Sequence, residues 1–242
     1  MSFFLRAIAL VSTLTFGSFA TAATAGLPVA PFQARYEVYG SGFSLGEAVM
    51  TLAPSGSAGY RMSTEVRPNG LAALLVSGRL DENVRGEIHE GQLWPDQYER
   101  RTETRRRTQT VQLKFDWTAG QVQARDNEEQ ARLPVTPGML DPLSLNLRVM
   151  WDLQRGRLPD RYALVDETKI RIFEIRHEGE ETLDTPLGAL RALRVSHSRP
   201  GRTRITTFWF APDLHYLPVR VAQESKGKEQ LRMEIRTVDR QP

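Results

Sequence analysis

Short segments in which apolar and polar residues alternate run through nearly the whole chain, and turn residues separate them. Successive side chains of a β-strand point to opposite faces, so this period of two predicts strands with one buried face. In the clearest example, Val111, Leu113, Phe115 and Trp117 share a face. About a dozen such segments predict a mainly β fold, a single curved antiparallel sheet that forms an open or half β-barrel.

One segment breaks this pattern and predicts the main α-helix, over residues 141–154. Asp141 suits the N-cap, Pro142 suits the first helical position, and Gly156 suits the end of the helix. Apolar residues cover more than half of the helix circumference, whereas a helix on a flat sheet needs a stripe of only about 100°. We therefore expect the curved sheet to surround this helix.

A second apolar segment, residues 71–76, follows Pro68, Asn69 and Gly70. It predicts a short apolar helix or lid near residues 70–77, although a buried strand has the same composition. As a lid, it would open and close over an apolar cavity.

The first 25 residues have the features of a cleavable secretory signal peptide: Arg6, an apolar run over residues 7–20, and Ala-x-Ala sites at residues 20–25. The run is shorter than the roughly 18 residues that a spanning helix needs, which favours export without a membrane anchor. The chain contains no cysteine, so disulfides and thiolate metal sites are excluded. The sequence predicts a periplasmic protein with residues 26–242 as a single β-rich domain.

The charged residues are nearly balanced, with 32 basic and 29 acidic side chains. This balance is a weak argument for a polyanionic partner, and an exported protein is not expected to bind nucleic acid. Arg105, Arg106 and Arg107 are candidates for contact with anionic lipid headgroups. The alternative is a solvated strand end that resists edge-to-edge pairing.

Two patterns resemble catalytic or metal-binding sites. Residues 42–46 match G-x-S-x-G, with Ser44 as the nucleophile, but that motif needs a strand-to-helix turn and here an alternating strand follows. The context favours a hairpin or bulge that needs glycine over a serine hydrolase. The histidines have no metal-site spacing and are expected on strand surfaces or in turns, so no metal or cofactor is predicted; they are His89, His177, His197 and His215.

The stretch FWFAPDLHYLPVRV, residues 208–221, gathers aromatic, acidic and basic residues as an active site might. Its periodicity instead predicts two strands joined by a turn at Pro212, with aromatic side chains in the core. Pro218 cannot donate a hydrogen bond to a neighbouring strand, so we expect it at an edge or a bulge.

Several stretches, in this order along the chain, resemble the DUF3108 family of exported bacterial proteins of unknown function. They are residues 36–40, 45–48, 94–98, 141–144, 185–190, 208–213 and 216–220. The family implies no catalytic residues. It is also similar to the curved half-barrels of periplasmic lipoprotein carriers, in which a concave sheet shelters acyl chains, and this is an analogy of fold only.

The preferred hypothesis is a non-enzymatic periplasmic protein that binds a lipid, a lipid-modified partner or another hydrophobic ligand in an apolar groove. The candidate groove residues are Leu71, Leu74, Leu75, Leu147, Met150 and Trp151. The alternative is an envelope interaction module that binds another protein through a strand edge without a small-molecule ligand. A serine hydrolase using Ser44 is the remote alternative.

Overall fold

The computed structural model of the protein describes residues 27–69 and 78–240. Within these residues it contains one α-helix, α1 (Pro142–Gln154), a 3-10 turn (Pro212–Leu214) and fourteen β-strands. The strands are β1 (Phe32–Gly40), β2 (Phe43–Ser55), β3 (Gly59–Pro68), β4 (Gly78–His89), β5 (Gln92–Thr104), β6 (Thr108–Asp116), β7 (Gln121–Asp126), β8 (Glu129–Pro134), β9 (Arg161–Asp166), β10 (Lys169–Thr185), β11 (Gly188–Ser198), β12 (Arg204–Ala211), β13 (Leu217–Ser225) and β14 (Lys228–Asp239).

All the strands belong to one antiparallel sheet, in the order β8-β7-β6-β5-β4-β3-β2-β1-β14-β13-β12-β11-β10-β9. Each half of the sheet is a run of hairpins, and the pairing of β1 with β14 joins the halves. The two edges approach each other where the Thr168 hydroxyl, beside β9, donates a 2.6 Å hydrogen bond to the Glu129 carboxylate of β8. The sheet is therefore rolled into an open barrel, as the alternating segments predicted.

Strand β9 is the strand that the alternation does not predict. Its Tyr162, Leu164 and Val165 are all buried, so apolar residues occur on both faces and the period of two is lost. The outer edge of β9 is covered by Leu140, which donates to the Ala163 carbonyl at 3.2 Å and accepts from the Val165 N–H at 2.9 Å.

Helix α1 lies against the concave face of the sheet, with the predicted bounds. The Asp141 carboxylate caps it by accepting from the N–H groups of Leu143 and Ser144, both at 2.9 Å. The polar side of the helix is also inside the barrel: the Ser144 hydroxyl is 2.8 Å from the Tyr60 hydroxyl, and Tyr162 donates to Asp152 at 2.7 Å. Hydrogen bonds to the wall thus satisfy the polar residues of a helix that the sheet surrounds. Among the residues described, no helix is long and apolar enough to cross a membrane.

The aromatic stretch at residues 208–221 forms the β12–β13 hairpin. Phe208 and Phe210 point into the core, and the 3-10 turn joins the two strands. The register between the strands shifts where Phe210 pairs with Pro218, so Pro218 lies at a bulge. Both predictions for this stretch are confirmed.

The antiparallel order places alternate turns at opposite ends of the barrel. One end, which we call the helix end, carries both connections of α1. There Arg148 donates to the Gly91 carbonyl at 3.4 Å, and Gln154 donates to the His215 carbonyl at 3.1 Å. We call the other end the open rim, and its described turns are residues 41–42, 105–107, 127–128, 167–168, 199–203 and 226–227.

Candidate functional site

The inward-facing side chains become progressively more exposed from the helix end to the open rim. In β3, Tyr60 and Met62 are 0% exposed, whereas Val66, farther along the same face, is half-buried. In β14, Ile235 is buried and Leu231 is half-buried. Helix α1 covers the concave face near the helix end. We call the rim side of the interior, where the described inward-facing residues are less buried, the opening.

The wall formed by β10–β14 is largely apolar at this opening. His197 lies between two phenylalanine rings, with centroid distances of 5.2 Å to Phe173 and 5.4 Å to Phe208. Phe208 stacks in turn on Phe210 at 5.5 Å. Burial lowers the pKa of His197 to about 4, so its imidazole is neutral at neutral pH. The buried Nδ1 atom of His197 finds no hydrogen-bond partner within the described part of the chain.

A narrow apolar cleft continues from this wall towards α1. Its free volume is about 10 Å³, room for at most about one water molecule, and His197 is at its margin. The other lining residues are Leu145, Asn146, Val149, Ile175, Val195, Phe208 and Phe210. Apart from His197 and Asn146 the lining is hydrophobic, which is typical of a surface that holds an apolar group.

The opposite wall, formed by β3–β8, meets the end of β9 in a charged cluster near the open rim. Tyr98 donates to the Glu82 carboxylate at 2.5 Å, and the Arg100 guanidinium is 3.5 Å from Asp166 and 4.0 Å from Glu167. Burial raises the pKa of Glu82 above its ordinary value, and the hydrogen bond from Tyr98 partly opposes that effect. The opening is therefore amphipathic, with an apolar wall facing a polar one.

A second buried polar group lies at the start of α1. The Oδ1 atom of Asp141 accepts the two capping hydrogen bonds, while its Oδ2 atom is buried without a partner among the described residues. Burial raises the pKa of Asp141 to about 6, although the capping hydrogen bonds favour the ionised form.

Asp141→Asn is expected to remove a pH-dependent cost of folding. Because the folded-state pKa of about 6 lies above the ordinary value of 3.8, the Asp141 contribution to stability is complete below pH 4 and is lost as pH rises through 6. Asparagine keeps the capping oxygen without the charge. We therefore expect the variant to gain about 1–2 kcal/mol relative to the wild type between pH 4 and 7.5, measured by urea unfolding.

Asp141→Ala is the control, because it removes the charge and also the capping oxygen, which costs about 1 kcal/mol. It should show the same pH trend as Asp141→Asn from a lower starting stability. If the difference in stability between Asp141→Asn and the wild type stayed constant from pH 4 to 7.5, this would contradict a raised pKa of the buried Asp141 carboxyl group.

The groove residues predicted on α1 lie deeper than the opening. Leu147 and Met150 are 0% exposed in the core, and Trp151 is buried at the helix end beneath the Arg155 guanidinium, 4.0 Å from its ring centroid. Their contact with a ligand stays a prediction. The other three candidates, Leu71, Leu74 and Leu75, lie outside the described residues, as do the predicted lid at residues 70–77 and the signal peptide at residues 1–25.

The predicted headgroup residues lie on the open rim. Arg105, Arg106 and Arg107 are exposed and form the β5–β6 turn, which the Thr104 N–H closes by donating to the Arg107 carbonyl at 2.8 Å. Thr104 pairs with Gly78, the first residue of β4. The three arginines are therefore beside the strand end where the β3–β4 connection returns to the sheet.

Ser44 lies in β2 just after the β1–β2 turn, in a strand rather than at a strand-to-helix turn. Its exposed hydroxyl donates to the Glu37 carboxylate of the neighbouring strand. The register shifts between the Gly46 and Ser44 pairs, so the glycine-rich segment is a hairpin with a bulge, as expected.

His197 is the histidine that differs from its expected place on a strand surface or in a turn. It points into the barrel, while His89 pairs with Glu87 at 2.5 Å on the exposed side of β4, His177 is exposed and His215 lies in a turn. The alternation with buried Val195 was the available signal for its inward position. Within residues 27–69 and 78–240, no group of three or more His, Asp or Glu is placed to hold a metal ion.

The rolled sheet and the enclosed helix define a β-barrel-like protein. The chain belongs to the family described as "Protein of unknown function (DUF3108)", whose sequence profile matches residues 35–236. This match confirms the resemblance found in the sequence. None of the curated protein sequences compared with the chain matches it significantly.

A solved structure has a similar fold. It is the crystal structure of a beta-barrel-like protein of domain of unknown function DUF1849 from Brucella abortus, with a TM-score of 0.55 and 12% identity. The similarity covers 88% of this chain and 98% of that one. At this identity the comparison supports the open β-barrel fold and carries no argument about function.

Proposed function

We propose that the protein is a non-enzymatic periplasmic binding protein that holds the apolar chain of a lipid or lipid-modified partner inside the barrel. The observation that carries this proposal is the gradient of exposure on the concave face. Helix α1 covers the helix end, while half-buried apolar residues such as Phe173 and Leu231 line the opening at the other end. A concave apolar face that is less buried towards one end suits a ligand that inserts one end.

Burial of the ligand's apolar chain supplies the binding free energy. Each methylene group that leaves water contributes about 0.8 kcal/mol. The apolar chain of the ligand would first contact Phe173 and then enter the cleft between α1 and β10–β12. That cleft is narrow, so Leu145 and Phe208 must change rotamer or α1 must shift to admit it. The neutral imidazole of His197 would offer one polar contact along this path.

The polar end of the ligand would remain near the open rim. The charged cluster places three carboxyl groups, Glu82 of β4, Asp166 of β9 and Glu167 of the β9–β10 turn, around the single guanidinium of Arg100. This excess of acidic groups disfavours an anionic headgroup deep in the opening. Arg105, Arg106 and Arg107 in the turn are better placed to meet one.

Phe173→Gln is expected to weaken binding of a fluorescent 18-carbon fatty acid by about tenfold, because it places an amide in the apolar opening. Ile172→Gln is the matched control, since Ile172 is the preceding residue of β10, points to the outer face and is 43% exposed. We expect this control to bind like the wild type. Binding would be measured by fluorescence titration, with both variants first shown to be folded by circular dichroism.

Lipid that co-purifies with the protein from cell envelopes provides a second test. Mass spectrometry of the native protein is expected to show a bound acyl-chain compound, reduced in Phe173→Gln and retained in Ile172→Gln. Absence of bound lipid together with no saturable fatty-acid binding would overturn the proposal.

The second candidate function, an interaction module that adds a strand from a partner, would use β8. This strand is an edge of the sheet, and within the described chain no other strand pairs with its outer side. However, β8 is only six residues long, and it contains Pro134 and the charged residues Glu129 and Arg132. Short, charged edges with proline resist strand addition, so this candidate ranks below ligand binding. A stoichiometric envelope partner lost on β8 substitution, with no lipid bound, would reverse this order.

A further inference from the structure

We propose that the open rim is a docking surface for an anionic lipid bilayer. The inference concerns the outside of the rim and does not depend on a ligand being bound inside the barrel. It rests on three observations: the sign of the charges in the rim turns, the lack of compensating ion pairs, and an exposed aromatic residue on the same rim.

Basic residues dominate the described turns of the open rim. The β5–β6 turn has three arginines, the β11–β12 turn has Arg199 and Arg202, and the β13–β14 turn has Lys226. Glu128 and Glu167 are the acidic residues in these turns. The helix end differs, because the exposed residues of its connections include both signs: Glu90, Asp160 and Asp213 against Arg155 and Arg157. The two ends of the barrel therefore differ in charge although the whole chain is close to balance.

Four of the basic residues described in the rim turns have no compensating ion pair. Strand arginines such as Arg67, Arg85 and Arg220 lie within 4.0 Å of carboxylates. In the part of the chain that the structure describes, no ion pair involves Arg106, Arg107, Arg202 or Lys226. Unpaired cations at one end of the barrel attract a negatively charged surface, and each contributes most within a Debye length of about 10 Å.

Phe43 distinguishes a bilayer from other polyanions. It follows the β1–β2 turn on the open rim and is 73% exposed, the largest exposure of any bulky apolar residue in the described chain. Ile205, near the start of β12 at the same end, is 40% exposed. Aromatic and aliphatic side chains beside basic residues are typical of surfaces that insert into the lipid headgroup layer. A soluble polyanion would bind the basic residues and would gain no affinity from contact with Phe43.

The test is co-sedimentation with vesicles. The full-length protein as exported is expected to bind vesicles that contain phosphatidylglycerol, and to bind pure phosphatidylcholine vesicles much more weakly. The double variant Arg106→Glu, Arg107→Glu should bind the anionic vesicles at least about tenfold more weakly, since each basic residue near the surface contributes on the order of 1 kcal/mol. The control Arg132→Glu, Arg157→Glu has the same net charge but changes residues away from the open rim, and it should bind like the wild type.

Phe43→Ser separates a bilayer from a general polyanion. It should weaken binding to anionic vesicles about threefold or more while leaving binding to heparin, a soluble polyanion, unchanged. Equal affinity for heparin and vesicles, with no effect of Phe43→Ser on either, would overturn the proposal in favour of polyanion binding. An equal loss in the Arg132 and Arg157 control would overturn it as an effect of net charge. Failure of fatty-acid binding would leave these vesicle results unchanged.

Discussion

Replacement of Gly46 by alanine is expected to lower the free energy of unfolding by about 2–4 kcal/mol. A Cβ atom at this position would lie 2.1 Å from the Arg67 carbonyl oxygen and 2.7 Å from Pro68 Cα. Both atoms belong to the backbone of β3, so rotation of a side chain cannot relieve the clash. The first residues of β2 would have to move away from β3, which would break hydrogen bonds between the two strands. Urea unfolding of Gly46→Ala and the wild type measures the loss.

Ser44→Ala, two residues away in the same segment, is the matched control. Its side chain is exposed and its hydroxyl contacts only Glu37 among the described residues, so stability should change by less than about 0.5 kcal/mol. This pair of variants tests whether the G-x-S-x-G pattern serves the backbone or a reaction. An ester hydrolysis activity that Ser44→Ala abolished, combined with an unchanged stability of Gly46→Ala, would instead support a nucleophile elbow.

The fold could be predicted from the sequence wherever local interactions determine it. The bounds of α1 follow from the Asp141 cap and Pro142, which act within the first turn of the helix. Most strands follow from one buried face and one exposed face. Strand β9 escapes this reasoning because tertiary contacts bury apolar residues on both of its faces, and no local pattern reports that burial.

The candidate site depends on tertiary structure to a greater extent. The basic turn at Arg105–Arg107 is visible in the sequence, but its position at the same end of the barrel as the turns of Arg202 and Lys226 depends on the strand order. The lowered pKa of His197 needs Phe173 and Phe208, which come from two other strands. The sequence also cannot tell how deep α1 reaches into the barrel. From α1 the sequence predicts Leu147, Met150 and Trp151 as groove residues, whereas Leu145 and Val149 are the apolar residues of α1 that line the cleft.

This separation within α1 leads to the second large expected effect. Leu147→Ala is expected to lower the free energy of unfolding by about 2–4 kcal/mol, because Leu147 is fully buried and its removal leaves a cavity. Fatty-acid binding by the folded variant should remain unchanged. Guanidinium unfolding gives the stability, and fluorescence titration well below the unfolding transition gives the affinity.

Leu145→Ala makes the same chemical change two residues earlier, at a side chain that lines the cleft between α1 and β10–β12. We expect a smaller loss of stability than for Leu147→Ala, because Leu145 lines the cleft, whereas Leu147 is fully buried in the core. We also expect tighter binding of the 18-carbon chain, since the narrow cleft gains the volume of the removed atoms. Weaker binding by Leu147→Ala with little loss of stability would support Leu147 as a residue of the ligand groove, as the sequence predicts. Equal effects of both variants on binding and stability would mean that the cleft does not admit the ligand and that α1 acts as a core helix along its whole length.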